Sequence, residues 1–163
     1  MYRIFTEMSN TKRSTSRRRA QKAVTPMIGS LLRLPHEVVV ARLLEALNSN
    51  GFDITTTELG VFLYPGPDGR RPIDLARQCN MTRQAMNYVL AGLERRGYIE
   101  RRAGASGATR VVRMTDRGWD MVPHILGCVA AIERDWAAHL GARRFRALRE
   151  TLHDLSLWLG KLS

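Results

Sequence analysis

The segment Gln78–Arg102, QCNMTRQAMNYVLAGLERRGYIERR, constrains this chain more than any other. Met86, Val89, Leu90 and Leu93 fall at i, i+3, i+4 and i+7, the spacing of one apolar helix face. Thr82 stands where a helix cap belongs, and Gly97, following Arg95 and Arg96, where a helix stops. Met81 before the cap and Met86 at the fourth helical position match a hydrophobic staple. A helix with one dry side must lie on a core. Its other side, Arg83, Gln84, Asn87, Tyr88 and Ala91, then faces outward.

The neighbouring segments have their own start and stop signals. Before this helix, RPIDLARQC carries Pro72 at a first helical position and Asp74 in the first turn. Arg71 occupies the cap position, where Ser or Thr is preferred. Asn80 and Met81 form a short turn between the two helices. After Gly97, YIERR and TRVVRM read as two short strands around the small-residue loop AGASGA. Thr115, followed by Asp116, caps a helix holding Trp119, Val122, Ile125, Val129, Ile132 and Trp136, with Pro123 and Gly127 expected to bend it.

Upstream, a helical pattern runs from about Pro26 to Asn50, with Pro35 expected to kink or split it and Gly51 closing it. A short helix at about Thr56–Leu63 has threonines at its start as cap candidates, and YPGPDGRR (64–71) is a loop. After Gly141, Phe145, Leu148, Leu152, Leu155, Leu159 and Leu162 form a heptad-like seam. Long helices at both ends of a middle that has its own core leave surplus apolar faces, most simply buried against a second chain. A monomer with a folded-back helix pair is the alternative.

The formal net charge of +11 points to an acidic partner, nucleic acid before an anionic membrane surface. No stretch approaches the ~18 apolar residues of a membrane span. Residues 1–25 hold seven bases against Glu7, and TKRSTSRRR has no apolar period. This segment reads as a disordered basic tail. It is a solvated tail, sequence upstream of the true start, an arm lying on nucleic acid, or a transit peptide. Cys79 and Cys128 sit in apolar helical patterns and read as buried free thiols of a reducing, bacterial-type cytoplasm.

Helix, turn, capped helix and hairpin is the order of a winged helix-turn-helix. The expected fold is mainly α with a small β-hairpin wing and N- and C-terminal dimerisation helices. Its boundaries are a tail at 1–25 and a domain at 26–163, with dimerisation helices at 26–51 and 116–163 around a DNA-binding lobe at 55–115. An α-helix fits the major groove of B-DNA, where Arg pairs with guanine and Gln or Asn with adenine. Arg83, Gln84 and Asn87 supply these types in two turns, Tyr88 can meet a phosphate or a thymine methyl, and Thr82 can present its N–H to a phosphate. Arg101, Arg102, Arg110 and Arg113 flank a loop small enough to approach the minor groove. Residues 83–117 hold eight arginines and three acids, an excess a DNA-facing unit needs.

IDLARQCNMTRQAMNYVLAGLERRGYIERR and VVRMTDRGWDM resemble the MarR family of bacterial transcriptional regulators over about residues 28–160. The first resembles the family's ELA…(S/T)…V…L…LE..G.(V/I).R run and the second its LT..G. The resemblance implies a triangular homodimer with interleaved terminal helices on a pseudo-palindromic operator. It implies a cytoplasmic, nucleoid-associated repressor, released by a small aromatic effector or by cysteine oxidation. By position, Thr82, Arg83, Gln84, Asn87 and Tyr88 become the recognition-helix contacts. The family's Asp-x-Arg wing tip is replaced by Ser106, Gly107 and Ala108, with Arg110 the nearest arginine. In the family's layout His36, Phe52, Tyr64 and Trp119 lie near the effector junction, with core packing the plainer use for the aromatics.

Neither a catalytic constellation nor a metal site emerges, since His36, His124, His139 and His153 lack zinc-site spacing. No cofactor is expected, and no effector-binding residue is assigned. The alternative is a winged-helix protein-interaction module, with non-specific nucleic-acid binding through the basic tail.

Overall fold

The computed structural model describes residues 26–63, 66–104 and 110–160. The 1–25 segment, Tyr64, the wing-tip residues Ser106, Gly107 and Ala108, and Leu162 of the terminal seam lie outside the described residues. Seven helices and a two-stranded antiparallel hairpin follow one another among them. They are α1 Ile28–Ser49, α2 Thr56–Phe62, α3 Pro72–Gln78, α4 Arg83–Arg95, β1 Ile99–Ala103, β2 Arg110–Met114, α5 Asp116–Trp119, α6 Met121–Leu140 and α7 Ala142–Gly160. The fold is mainly α with a β-hairpin wing, as the residue patterns imply.

The chain divides into two compact units, Met1–Glu37 and Val38–Ser163. The first contains the start of α1, where Met27, Ile28, Leu31 and Leu34 are exposed and Arg33 pairs with Glu37 at 2.7 Å. Pro35 does not split this helix, which runs through it. Residues 26–38 are exposed, so water can take up the Leu31 carbonyl that Pro35 leaves without a donor.

The second unit is built around a core of Leu43, Leu47, Leu59, Leu75, Met86, Leu90, Leu93, Tyr98, Ile99, Val112 and Met121. Burying each of the four apolar side chains of α4 stabilises by roughly 1.5–3 kcal/mol. The Thr82 cap contributes roughly 1 kcal/mol. Packing therefore holds α4 in place, and the cap decides where it begins.

The wing is registered Ile99↔Met114, Arg101↔Val112 and Ala103↔Arg110. The loop before α3 clamps onto it. Val112 N–H donates to the Arg70 carbonyl at 2.8 Å and Gly69 N–H to the Val112 carbonyl at 2.7 Å. Asp68 accepts from Met114 N–H at 2.9 Å and from Arg113 at 3.3 Å. Turn chemistry marked this segment as a loop, and its docking on β2 is a non-local event.

Thr115 caps α5 by accepting from Gly118 N–H at 3.1 Å. The bend expected at Pro123 and Gly127 falls earlier, because the helix breaks at Asp120 and restarts at Met121. Pro123 thereby lies in the first turn of α6, where its missing N–H costs nothing. Gly127 is passed without interruption. On α7, Phe145 is buried while Leu148, Leu152 and Leu155 remain exposed.

Candidate nucleic-acid interface

The site begins with a reversal between α3 and α4. Asn80 adopts φ 51°, a left-handed conformation that Asn tolerates better than most residues. Met81 N–H then donates to the Ala76 carbonyl at 2.8 Å, turning the chain back. Thr82 enters α4 with extended backbone, and its hydroxyl accepts from Ala85 N–H at 3.1 Å. These local preferences aim the first turn of α4 away from the core.

Met86, Val89, Leu90 and Leu93 are buried, and Thr82, Arg83, Gln84, Asn87 and Tyr88 are exposed. Tyr88 is 78% exposed, so its ring is not core. It borders a groove of about 400 Å³ shared with Thr55, Thr57 and Arg95. The five predicted recognition residues are thus brought onto one surface. Arg83 opens a helix that has no acid in its first turn. It also has no ion-pair partner among the described residues. A cation at a helix N-terminus opposes the macrodipole, so Arg83 is not placed there for helix stability.

The wing arginines differ from one another. Arg101 is half-buried and tied to Glu94, through its backbone N–H at 3.1 Å, Nε at 2.9 Å and Nη2 at 2.6 Å. Arg102 points to the opposite face, exposed, and pairs with Glu100 at 2.6 Å. Arg113 is held by Asp68. Arg110, at the start of β2, is exposed and has no ion-pair partner among the described residues. Of the three wing residues predicted to touch DNA, Arg101 therefore braces the wing against α4. Arg102 and Arg110 face solvent.

The Arg101 hydrogen bonds hold the Glu94 carboxyl below the ordinary glutamate range. A depressed carboxylate adds stability above its unfolded value and loses it as pH falls through the folded one. Glu94→Gln should therefore flatten the acid limb of a melting-temperature profile below about pH 4.5. Its cost near pH 7 should be about 1 kcal/mol, because the pair is part-exposed. Parallel wild-type and variant acid limbs would remove this pair as a source of the pH dependence.

Sequence reasoning missed Asp53, Glu58 and Asp68 as partners of arginines. The Thr55-x-x-Glu58 spacing was a readable signal for a capping box, and the box is present. Arg96 lies against Glu58 and, at 3.4 Å, Asp53. Nothing local signals that pairing. Phe52 packs 5.4 Å from the His124 ring and 6.3 Å from that of Tyr98, while Trp119 is half-exposed. Cys79 and Cys128 are free and only part-buried, less enclosed than their apolar patterns suggest. Burial pushes the Cys79 thiol up, away from the reactive thiolate. No helix among the described residues is long and apolar enough to cross a membrane.

A helix-turn-helix whose second helix stands proud of its core, followed by a basic hairpin, defines a winged helix-turn-helix protein. The MarR family model matches residues 52–108, from the start of the lobe to the wing tip. A MarR family protein of Mycobacterium tuberculosis, in complex with salicylic acid, is 28% identical. It covers 82% of this chain and 98% of its own, with a TM-score of 0.60. A MarR regulator from Methanosarcina mazei is 15% identical, covering 83% and 98%, with a TM-score of 0.69. The repressor CouR, bound to a 23-mer DNA duplex, is 21% identical, covering 80% and 92%, with a TM-score of 0.61. No curated protein matches. Over residues 52–108 the chain matches the MarR family model, and its fold is similar to winged helix-turn-helix transcriptional regulators of that family.

Proposed function

We propose that this protein is a homodimeric repressor that reads a pseudo-palindromic operator through α4. The observation that carries the reading is the division of that helix. Four apolar residues are buried at helical spacing, while Thr82, Arg83, Gln84, Asn87 and Tyr88 stand exposed together. Placed in a major groove, Arg83, Gln84 and Asn87 offer base-reading groups. Arg102 and Arg110 are the wing residues available to the backbone or minor groove, and Arg101 supports them from the root. The two half-sites would lie about one helical turn, ~10 bp, apart.

Residues 55–115 form the reading lobe of this proposal, and 26–51 and 116–163 its dimerisation helices. Exposed Leu148, Leu152, Leu155 and Trp158 on α7, and Ile28 and Leu31 on α1, support burial against a second copy. The salicylic acid in the Mycobacterium tuberculosis protein supports a carboxylated aromatic as the effector class. A groove of about 430 Å³ lined by Arg42, Asn50, His124 and Cys128 is large enough for one.

Selection of bound sites from random duplex DNA tests the reading. A two-fold symmetric consensus is the expected result. Absence of any enrichment would overturn it and favour a protein-interaction module. On the selected duplex, Arg110→Ala should lower the slope of log affinity against log salt by about 1, and weaken all sequences alike. An unchanged slope would take Arg110 off the phosphate backbone.

A further inference from the structure

Glu58 is the buried charged side chain of the described core, only 7% exposed. Its two oxygens face different neighbours. Oε2 accepts from Thr55 N–H at 3.1 Å and Thr55 Oγ1 at 3.0 Å, closing the capping box of α2. Oε1 accepts from Arg96 Nη2, at the last turn of α4. A glutamine would satisfy the box alone, so the second oxygen is the one that calls for a cation.

Arg96 is held through both terminal nitrogens, while its buried Nε has no hydrogen-bond partner among the described residues. Nη1 reaches Asp53 at 3.4 Å, and the guanidinium carbon stands 5.9 Å from the Tyr98 ring centroid. The Tyr98 hydroxyl accepts from Asp53 N–H at 2.9 Å, which closes the circuit. Gly92, one turn before Arg96, makes the room. A Cβ there would stand 3.2 Å from Glu58 Oε1 and 3.7 Å from Arg96 Nη2.

We propose that the Glu58–Arg96 pair is a positioning device that sets the angle of α4, and with it the sequence selectivity of its exposed face. This rests on the reading of α4 as the recognition helix. Apolar packing of Met86, Val89, Leu90 and Leu93 holds the helix down but is non-directional. A part-buried, charge-assisted pair is directional and short-ranged. It sits at the far end of a lever. From Arg96 back to Arg83 is about 20 Å of helix, so a pivot of about 5° moves the reading residues by about 1.7 Å. Productive contacts tolerate only about 0.5 Å. Glu58 and Arg96 touch no base in this scheme and act through the helix.

The test compares affinity for the duplex selected by the wild type with affinity for a scrambled duplex of equal length. Glu58→Gln keeps the capping box and loses the ion pair, Arg96→Met keeps the stem, and Arg96→Lys keeps the charge without the fork. Net-charge changes alter both affinities and largely cancel in their ratio. Measured well below each melting temperature, Glu58→Gln and Arg96→Met should each lower the ratio about tenfold, and the double variant no further. Arg96→Lys should fall between, and it stands in if the bolder variants do not fold. Ratios within about twofold of wild type, with only the melting temperature reduced, would leave the pair a purely structural contact. A wild type that prefers no duplex would instead bring down the reading of α4 itself.

Discussion

Alanine at Gly118 should destabilise the protein by roughly 3 kcal/mol. The sign is not obvious, because alanine within a helix is ordinarily better than glycine by about 1 kcal/mol. Space decides it. A Cβ at Gly118 would fall well inside van der Waals contact of the Tyr98 carbonyl oxygen, 3.2 Å from its carbon and 3.5 Å from Met114 Cβ. The obstacle is backbone at the root of the wing, not a side chain that can swing aside. That carbonyl also accepts from Thr115 N–H at 3.2 Å, and Thr115 Oγ1 donates to the Gly97 carbonyl at 2.5 Å. Relief would therefore have to move Tyr98, whose ring lies 5.0 Å from the Arg117 guanidinium carbon. The melting temperature should drop by roughly 6–12 °C. An unchanged or raised melting temperature would mean that the contact between α5 and Tyr98 yields cheaply. The glycine of MTDRG is thus required by close approach of α5 to Tyr98, the residue before β1.

Arg83→Ala should leave stability unchanged or slightly higher while relaxing sequence preference at one position of each half-site. The stability half follows from its place in α4: an exposed cation in the first helical turn, against the dipole and without an acid nearby. The functional half follows from chemistry. A bidentate arginine–guanine contact discriminates by about 1–3 kcal/mol, roughly 5- to 150-fold. Affinities for a set of duplexes altered one base pair at a time give the answer. Equal loss on every duplex would make Arg83 a phosphate contact, and no loss would place it outside the interface. Arg110→Ala is the internal control, since a backbone contact lowers all affinities together.

These predictions differ in how much of their basis was legible in the sequence. The capped helix from Thr82 to Gly97, its buried and exposed faces and the two strands after it were all readable. Each depends on residues within a few positions of one another, where helical and strand periodicity leave little freedom. The charge of the wing unit was readable only as a total. Of its eight arginines, four have an acid partner: Arg96 with Asp53 and Glu58, Arg101 with Glu94, Arg113 with Asp68, and Arg102, whose pair with Glu100 lies exposed and leaves it facing solvent. Three of those acids, Asp53, Glu58 and Asp68, lie in the chain before α4.

By itself the sequence determined the local elements and the residues α4 presents, because caps, turns and apolar periods are short-range. Tertiary structure alone decided which arginines remain available, why Gly118 cannot carry a side chain, and that Glu58 meets Arg96. Those outcomes depend on distances between residues far apart in the chain, which only packing brings within reach of one another.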